Sequence, residues 1–458
     1  METQNNTIQF LGASGTVTGS KYLLTIDDFH LLIDCGLFQG LRDLRRRNWM
    51  EFPFPPDKID AVILTHGHLD HTGYLPRLVK QGFHNPVYCT RPTADLTEII
   101  LKDSAKLQEE DAEQANRGGY SKHKPAVPLY DQKDVEQTIP LFKPVAVETF
   151  IELNKDIRFR YRKNAHIPGA AFVEIDIKGK RLVFSGDVGR PEDPMLIHRE
   201  RPDKADYLFV ESTYGDRIHP VEETEVVLKR IIDDTLSKHG PLFVSSFAVD
   251  RAQDFMFAIW KLKKENKIPD LPVYLDSPMG LDVSKIFLKY PDWLTLDPEV
   301  IEEVFDNVTV VKSIKQTLAL AGDRSPKIVI AGSGMMNGGR ILHYLEKQLG
   351  NSSATFILPG YQAEGTRGRQ LSNGSSEIKL HGNYFLVRAS IEHMHTMSSH
   401  ADQQELLSWM SQIKNKPEQV FIIHGEPHPA DALRVKIQDR FGWNVHIPNY
   451  METVPLDL

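Results

Sequence analysis

Residues 61–72 read AVILTHGHLDHT. The first four are continuous and apolar, the pattern of a short buried strand. Thr65 ends it, and four metal-binding residue types follow within six positions: His66, His68, Asp70 and His71. Residues two apart in an extended segment project to the same side, so His66 and His68 can chelate one ion. Asp70 and His71 begin the turn into a helix and can face a second. Gly67 removes the Cβ that would crowd so tight a loop. Imidazole and carboxylate at this density suit zinc better than manganese or iron. Without an ion, so many polar groups behind a buried strand would be costly.

Working outward, the same placement recurs. Asp34 follows LLI, Asp187 follows LVFSG, Glu211 follows YLFV and His424 follows VFII, while His166 lies in the loop AHIPGA. Alone, each reads as a turn residue. Together they supply ligands for two ions and a carboxylate able to bridge them. The first part of the chain is β-rich, apart from a long amphipathic helix predicted over 92–116. After Tyr214 the pattern changes. Strands near 242–245, 273–275, 328–330 and 355–358 alternate with helices near 251–264, 281–289 and 339–349. Alternating β and α with continuous apolar strands predicts a parallel, doubly wound sheet. Near Ser390 the first pattern returns. The expected architecture is a layered αββα domain with an α/β domain inserted in it.

Composition sets bounds on this reading. The 458 residues predict two or three domains, and 41% hydrophobic with 25% charged residues excludes wholesale disorder. No apolar run reaches the roughly 20 residues of a membrane span. METQNNTIQF lacks the basic and apolar regions of a signal peptide, so the sequence predicts a cytoplasmic protein. Two cysteines, Cys35 and Cys89, exclude a disulfide framework and read as small buried hydrophobes. The net charge of -8 means that any nucleic acid must be held in a local groove. The basic runs RDLRRR (42–47) and SKHK (121–124) read by default as solvated faces. His219, His343, His381 and His428 read as surface or core residues; His393, close to His395, is less plain.

HGHLDH with His166 and SGD at 185–187 resembles the metallo-β-lactamase fold. VESTYGDR (210–217), SSHAD (398–402) and IIHGE (422–426) narrow the resemblance to its β-CASP branch, the RNA- and DNA-processing nucleases. The resemblance covers nearly the whole chain. It implies a metallo-β-lactamase αββα sandwich (residues 1–212 and 390–458) with an inserted doubly wound parallel-sheet β-CASP domain (213–389). It further implies two zinc ions per chain: His66, His68 and His166 on one, Asp70, His71 and His424 on the other, and Asp187 bridging. Asp34 would orient the histidine loop. The chain departs from the family at 247–254, FAVDRAQD, where Asp250 stands in place of a frequent Gly and Asp254 in place of a Glu. With IIHGE near its end and the histidine loop near its start, the sequence is expected to do without the extra C-terminal domain of RNase J and the N-terminal KH domains of archaeal relatives.

The implied activity is zinc-dependent RNA hydrolysis at the cleft between the two domains, endo- or exonucleolytic, leaving a 5′-phosphate and a 3′-hydroxyl. His400 is the expected proton donor to the leaving oxygen, and Glu211 would pair with it and keep it protonated near neutrality. Catalytic roles thus fall to His400, Glu211, Asp187 and Asp34. The expected partner is RNA, in single-stranded form, with no membrane; a homodimer is left open. Two Gly-rich turns, AGSGMMNGGR (331–340) and GYQAEGTRGR (360–369), follow predicted strands and suit phosphate. The candidate substrate-binding residues are Ser333, Gly334, Arg251, Arg367, His395 and Ser398. Three rivals remain: a DNA nuclease of the same branch, a hydrolase of thioesters, lactones or β-lactams, and a non-catalytic scaffold. All seven ligands are present, which argues against the last.

Overall fold

The computed structural model describes residues 6–119, 123–246, 249–277 and 279–458. Phe247 and Ala248 of FAVDRAQD, and the Ser121 and Lys122 of SKHK, lie outside them. The chain divides into two compact units. One comprises Met1–Asp193, His198–Ile218 and His400–Leu458; the other comprises Pro194–Ile197 and His219–Ser399.

The first unit is built on two seven-stranded sheets. One runs Thr453–Pro455, Thr7–Phe10, Tyr22–Ile26, Phe29–Ile33, Ala61–Ile63, Val87–Thr90, Phe142–Val145 in spatial order. The other runs Val445–His446, Gln419–Ile423, Tyr207–Glu211, Lys180–Phe184, Ala171–Ile177, Ile157–Lys163, Ile151–Glu152. Alternation along the strands explains their packing. Tyr207 and Phe209 point between the sheets, while Leu208 and Val210 point outward beneath helices Gln403–Met410 and Pro427–Phe441. Likewise Leu31 and Ile33 face inward and Leu32 faces the layer of Leu75–Lys80. Both faces of each central strand are buried, so these strands read as unbroken apolar runs. The result is the four-layered αββα arrangement.

Parallel pairing then fixes where the chemistry falls. Phe184 pairs with Phe209, and Phe209 with Phe421. Their rings stack in the core at centroid distances of 4.1 and 4.9 Å. With the strands in this register, Asp187, Glu211 and His424 leave the sheet at the same end. In the other sheet Ile33 pairs in parallel with Ile63, which brings Asp34 beside the histidine loop.

The second unit carries a six-stranded sheet, ordered Thr309–Val310, Val273–Asp276, Ile328–Ala331, Leu242–Ser245, Thr355–Pro359, Ser390–Met394, with every pair parallel. Ser390–Met394 thus pairs within this sheet, and the first pattern resumes after it. A second core, with Phe243, Val329 and Phe356 of the sheet and Tyr344 and Leu345 of helix Ile341–Gln348, covers one face.

Asp250 supplies a physical account of one departure from the family pattern. It sits at φ 73°, ψ −65°, and the Arg251 N–H reaches back to the Val249 carbonyl at 3.0 Å. This is a γ-turn of the rare, strained hand, a conformation that glycine adopts readily and aspartate does not.

Two predictions follow from this packing. Phe209→Ala should destabilise the first unit by about 3–5 kcal/mol in denaturant unfolding, because the gap lies inside a ring stack that cannot close over it. Asp250→Gly should stabilise the second unit by about 1 kcal/mol, read as a raised midpoint of its unfolding transition, by relieving the strained φ.

Candidate metal and catalytic centre

Seven segments of the first unit, carrying Asp34, the loop 66–71, His166, Asp187, Glu211, His400 and His424, converge at the sheet ends. The histidine loop is fixed from behind by backbone bonds. Cys35 N–H donates to the His71 carbonyl (2.7 Å), Leu37 N–H to Leu69 (3.0 Å) and Ser20 N–H to Asp70 (2.9 Å). Gly36 passes so close that a Cβ there would lie 1.5 Å from the Asp70 carbonyl oxygen. Only glycine allows that approach.

Two sets of ligand atoms result. His66 Nε2 and His166 Nε2 each lie 3.1 Å from His68 Nδ1. Both are also 3.5 Å from Asp187 Oδ2. On the other side, His71 Nε2 is 3.3 Å and His424 Nδ1 3.6 Å from Asp187 Oδ1, and His424 Nε2 is 3.4 Å from Asp70 Oδ2. The two Asp187 oxygens therefore face different histidine sets. Each set forms a compact group of potential ligand atoms. Three ring nitrogens aimed at one point cannot all be satisfied by each other's protons, since a neutral imidazole has one N–H. Among the described residues, buried Asp187 Oδ1 has only the nearby His71 and His424 ring nitrogens facing it. This donor set, borderline nitrogen with hard carboxylate, fits divalent cations.

Electrostatics agree. Burial, with the charge of His71 adding to it, holds His66 well below the usual histidine range. Burial likewise pushes His68 down to about 4, despite Asp70. Both rings are thus neutral and ready as ligands. Burial also acts on His71, but Asp187 and Asp34 outweigh it and raise that ring well above its ordinary value. Asp187 goes the other way: burial opposes its charge, yet His424, His71 and His66 hold it well below the carboxylate range.

Asp34, at φ 55°, accepts the Nδ1–H of His71 at 2.8 Å and the Thr65 N–H at 2.7 Å. This presents His71 Nε2 to Asp187. His400 and Glu211, 189 residues apart, meet with His400 Nδ1 at 3.1 and 3.2 Å from the two carboxylate oxygens. Glu211 is fully buried and also accepts the Val188 N–H (2.7 Å) and the Thr213 N–H (3.2 Å). His400 Nε2 points back toward Asp187 Oδ2, 3.9 Å away.

Several positioning residues carried no signal of their own. Asn164 donates to the carbonyls of Ser185 and Asp187 (2.7 and 2.6 Å) and so fixes the SGD turn. The Thr65 hydroxyl donates to Asp34 at 2.9 Å, and the Thr213 hydroxyl lies 3.1 Å from His424 Nδ1. Only adjacency to HGHLDH and to Glu211 pointed to the two threonines.

The expected substrate-binding residues lie in the second unit. Ser333 Oγ donates to the Gly338 carbonyl (3.2 Å), and the Gly334 carbonyl accepts from Gln362 (3.2 Å). The Arg367 N–H donates to Asn337 Oδ1, and its guanidinium donates to the carbonyls of Lys379 (2.9 Å) and Asn337 (3.1 Å). Arg367 thus ties the two Gly-rich turns together. Arg251 is buried and paired with Asp254 at 2.8 Å. His395 stacks on His393, with ring centroids 5.7 Å apart, and Ser398 is buried.

The first unit's layered sandwich, closed by a histidine–carboxylate centre, defines a metallohydrolase. Residues 15–224 match the metallo-beta-lactamase superfamily, 252–371 the Beta-Casp domain, and 386–448 the Zn-dependent metallo-hydrolase RNA specificity domain. The chain is 34% identical to Ribonuclease TTHA0252 of Thermus thermophilus over 97% of its own length and 99% of that protein's. It is 29% identical to the transcription termination factor FttA of Pyrococcus abyssi, over 97% of this chain and 70% of that one. A crystal structure of a protein of unknown function from Enterococcus faecalis shares the fold, with a TM-score of 0.54, 13% identity, and coverage of 98% of this chain and 100% of that one. The chain belongs to the β-CASP family of metallo-β-lactamase-fold nucleases.

The buttressing contacts generate a test. Asp34→Asn should lower metal affinity about 10–100-fold in chelator competition, because His71 loses its orienting carboxylate charge. Gly36→Ala should displace Asp70 and His71 and lower the bound metal content. Gly322→Ala, in open space, should retain full metal content.

Proposed function

We propose that the chain is a zinc-dependent ribonuclease that hydrolyses phosphodiester bonds in RNA processing or decay, using two ions per chain. One observation carries the reading: a buried carboxylate, Asp187, turns one oxygen to each of two histidine sets, and a histidine–glutamate pair stands beside it. His66, His68 and His166 would hold one ion, Asp70, His71 and His424 the other, with Asp187 shared. Ions held by these residues would activate water for attack and stabilise charge on the phosphoryl oxygens.

The chain's own residues supply the rest. Asp34 and Thr65 hold the histidine loop, and Asn164 holds the Asp187 turn, so little rearranges during reaction. The leaving 3′-oxygen needs a proton, and His400 Nε2 is the group aimed to give it. Glu211, which accepts two backbone N–H donors, also accepts His400 Nδ1–H and so orients the ring with Nε2 toward Asp187. The products of such water attack are a 5′-phosphate and a 3′-hydroxyl. The Gly-rich turns at 331–340 and 360–369, with Ser333, Gly334 and Arg367 in them, and Arg251, His395 and Ser398 elsewhere in the second unit, belong to this reading as substrate-binding elements. Single-stranded RNA, with bases free of pairing, is the proposed substrate. Among the described residues no helix is long and apolar enough to cross a membrane, and a cytoplasmic setting is part of the proposal.

Digestion of end-labelled RNA and DNA with added zinc, with product ends mapped, tests it. Hydrolysis of DNA alone, or of neither polymer, would overturn the assignment. The histidine roles separate as follows. His424→Ala should lose zinc and activity together. His400→Ala should keep its zinc and lose turnover by about 10²–10⁴, the usual worth of a positioned general acid. A nitrophenyl phosphodiester, whose leaving group needs little protonation, should recover far more activity with the His400 variant than with the His424 variant.

A further inference from the structure

The helix Arg42–Arg47, sequence RDLRRR, is followed by Asn48, Trp49 and Met50. Arg42, Arg45 and Arg46 are exposed, and Trp49 and Met50 are 52% and 58% exposed. Arg46 pairs with Asp43; Arg42 and Arg45 have no acidic partner among the described residues. An exposed tryptophan beside a cluster of cationic side chains is unusual on a chain of net charge -8. It is the combination that single-stranded nucleic acid uses: a planar face for a base and positive charge for its phosphates.

The segment is fixed, and fixed to the catalytic rim. Asn48 donates to the Phe38 carbonyl (2.8 Å) and accepts the Phe38 N–H (3.0 Å). The Arg47 guanidinium lies 3.8 Å from the Tyr450 ring centroid and 5.4 Å from that of Phe38. The Phe38 ring in turn packs under Gly19, where a Cβ would lie 2.6 Å from it. Gly19 closes the glycine-rich loop 12–19. In that loop the Ala13 carbonyl accepts the His424 N–H at 2.7 Å. A short series of contacts therefore joins the basic helix to a residue of the metal centre, all within the first unit. Arg47 serves as the anchor, leaving Arg42, Arg45, Arg46 and Trp49 to face outward.

We infer that Arg42, Arg45, Arg46 and Trp49 form a docking surface for single-stranded RNA next to the metal centre. The arginines bind phosphates and Trp49 stacks on a base. The inference rests on the ribonuclease reading but concerns a surface that contains no metal ligand and no proton donor.

The test compares Arg42→Gln/Arg45→Gln/Arg46→Gln, Trp49→Ala and Trp49→Phe with the parent chain. The substrates are a uridine 20-mer and bis(4-nitrophenyl) phosphate. For the 20-mer, the triple variant should raise KM about tenfold with little change in kcat. It should also flatten the dependence of log affinity on log salt by about 2, at about 0.7 per phosphate contact over three contacts. Trp49→Ala should raise KM at least about fivefold, and Trp49→Phe should restore most of it, because a smaller ring still stacks. Turnover of the small diester, too short to reach the helix, should change less than twofold. Anisotropy of the labelled 20-mer on the His400→Ala background reads binding without cleavage. A parent chain that binds the 20-mer through these residues yet cleaves no RNA would sink the ribonuclease reading and keep the surface. RNA cleavage with unchanged KM and anisotropy in all variants would sink the surface and keep the reading. Equal losses for a duplex and a single strand, with no effect of Trp49→Ala, would also overturn it.

Discussion

The Asp187 carboxylate is the charge around which the first unit is arranged. It is buried, and its negative charge is tolerable there only because imidazoles converge on both of its oxygens. The same pairing works in reverse for the histidines, which are buried among one another and would repel if several were protonated. A divalent cation in each set would resolve both problems, and it would account for potential ligands from four distant stretches of sequence occupying one place. The surrounding polar contacts then have a purpose. Asn164, Thr65 and Asp34 hold ligands in position before any ion arrives.

That arrangement depends on parallel strand ends. In the second sheet of the sandwich, Lys180–Phe184, Tyr207–Glu211 and Gln419–Ile423 run side by side in the same direction. Whatever follows them emerges along one edge. The chain must then turn abruptly to aim a side chain inward. Asp34 and His424 do so in the left-handed region, at φ 55° and 47°, and Ala165 before His166 sits at 55°. Such conformations cost about 1–3 kcal/mol each and persist where packing over-determines them. The stacked phenylalanines just behind the edge supply that packing.

Charge is distributed to match. The molecule is acidic overall, yet helix Arg42–Arg47 concentrates four arginines in six residues and is clamped by Asn48, Tyr450 and Phe38. In the second unit the arginines do different work. Arg251 neutralises buried aspartates, and Arg367 bonds carbonyls that shape two loops. An arginine in a Gly-rich turn can reach substrate or reach its own backbone, and the residue type is the same in both.

The convergence of these histidines and carboxylates was legible in the sequence because a polar residue placed directly after an apolar strand is a local pattern. The strand shows in its hydrophobicity, and the register of parallel strands brings the following residues together without further information. The helices 251–264 and 281–289 were legible for the same reason, from apolar periodicity closed by turn residues. Tertiary structure alone decided the rest. Asn164 and Arg367 act through backbone carbonyls, which every residue possesses, so no motif marks their partners. Ser390–Met394 joins the second sheet by pairing with Thr355–Pro359, a choice made by a neighbouring strand. RDLRRR had the composition of any solvated face. It became a distinct surface only when folding buried Asn48, left Trp49 outside and anchored Arg47 on Tyr450, a ring 403 positions later in the chain.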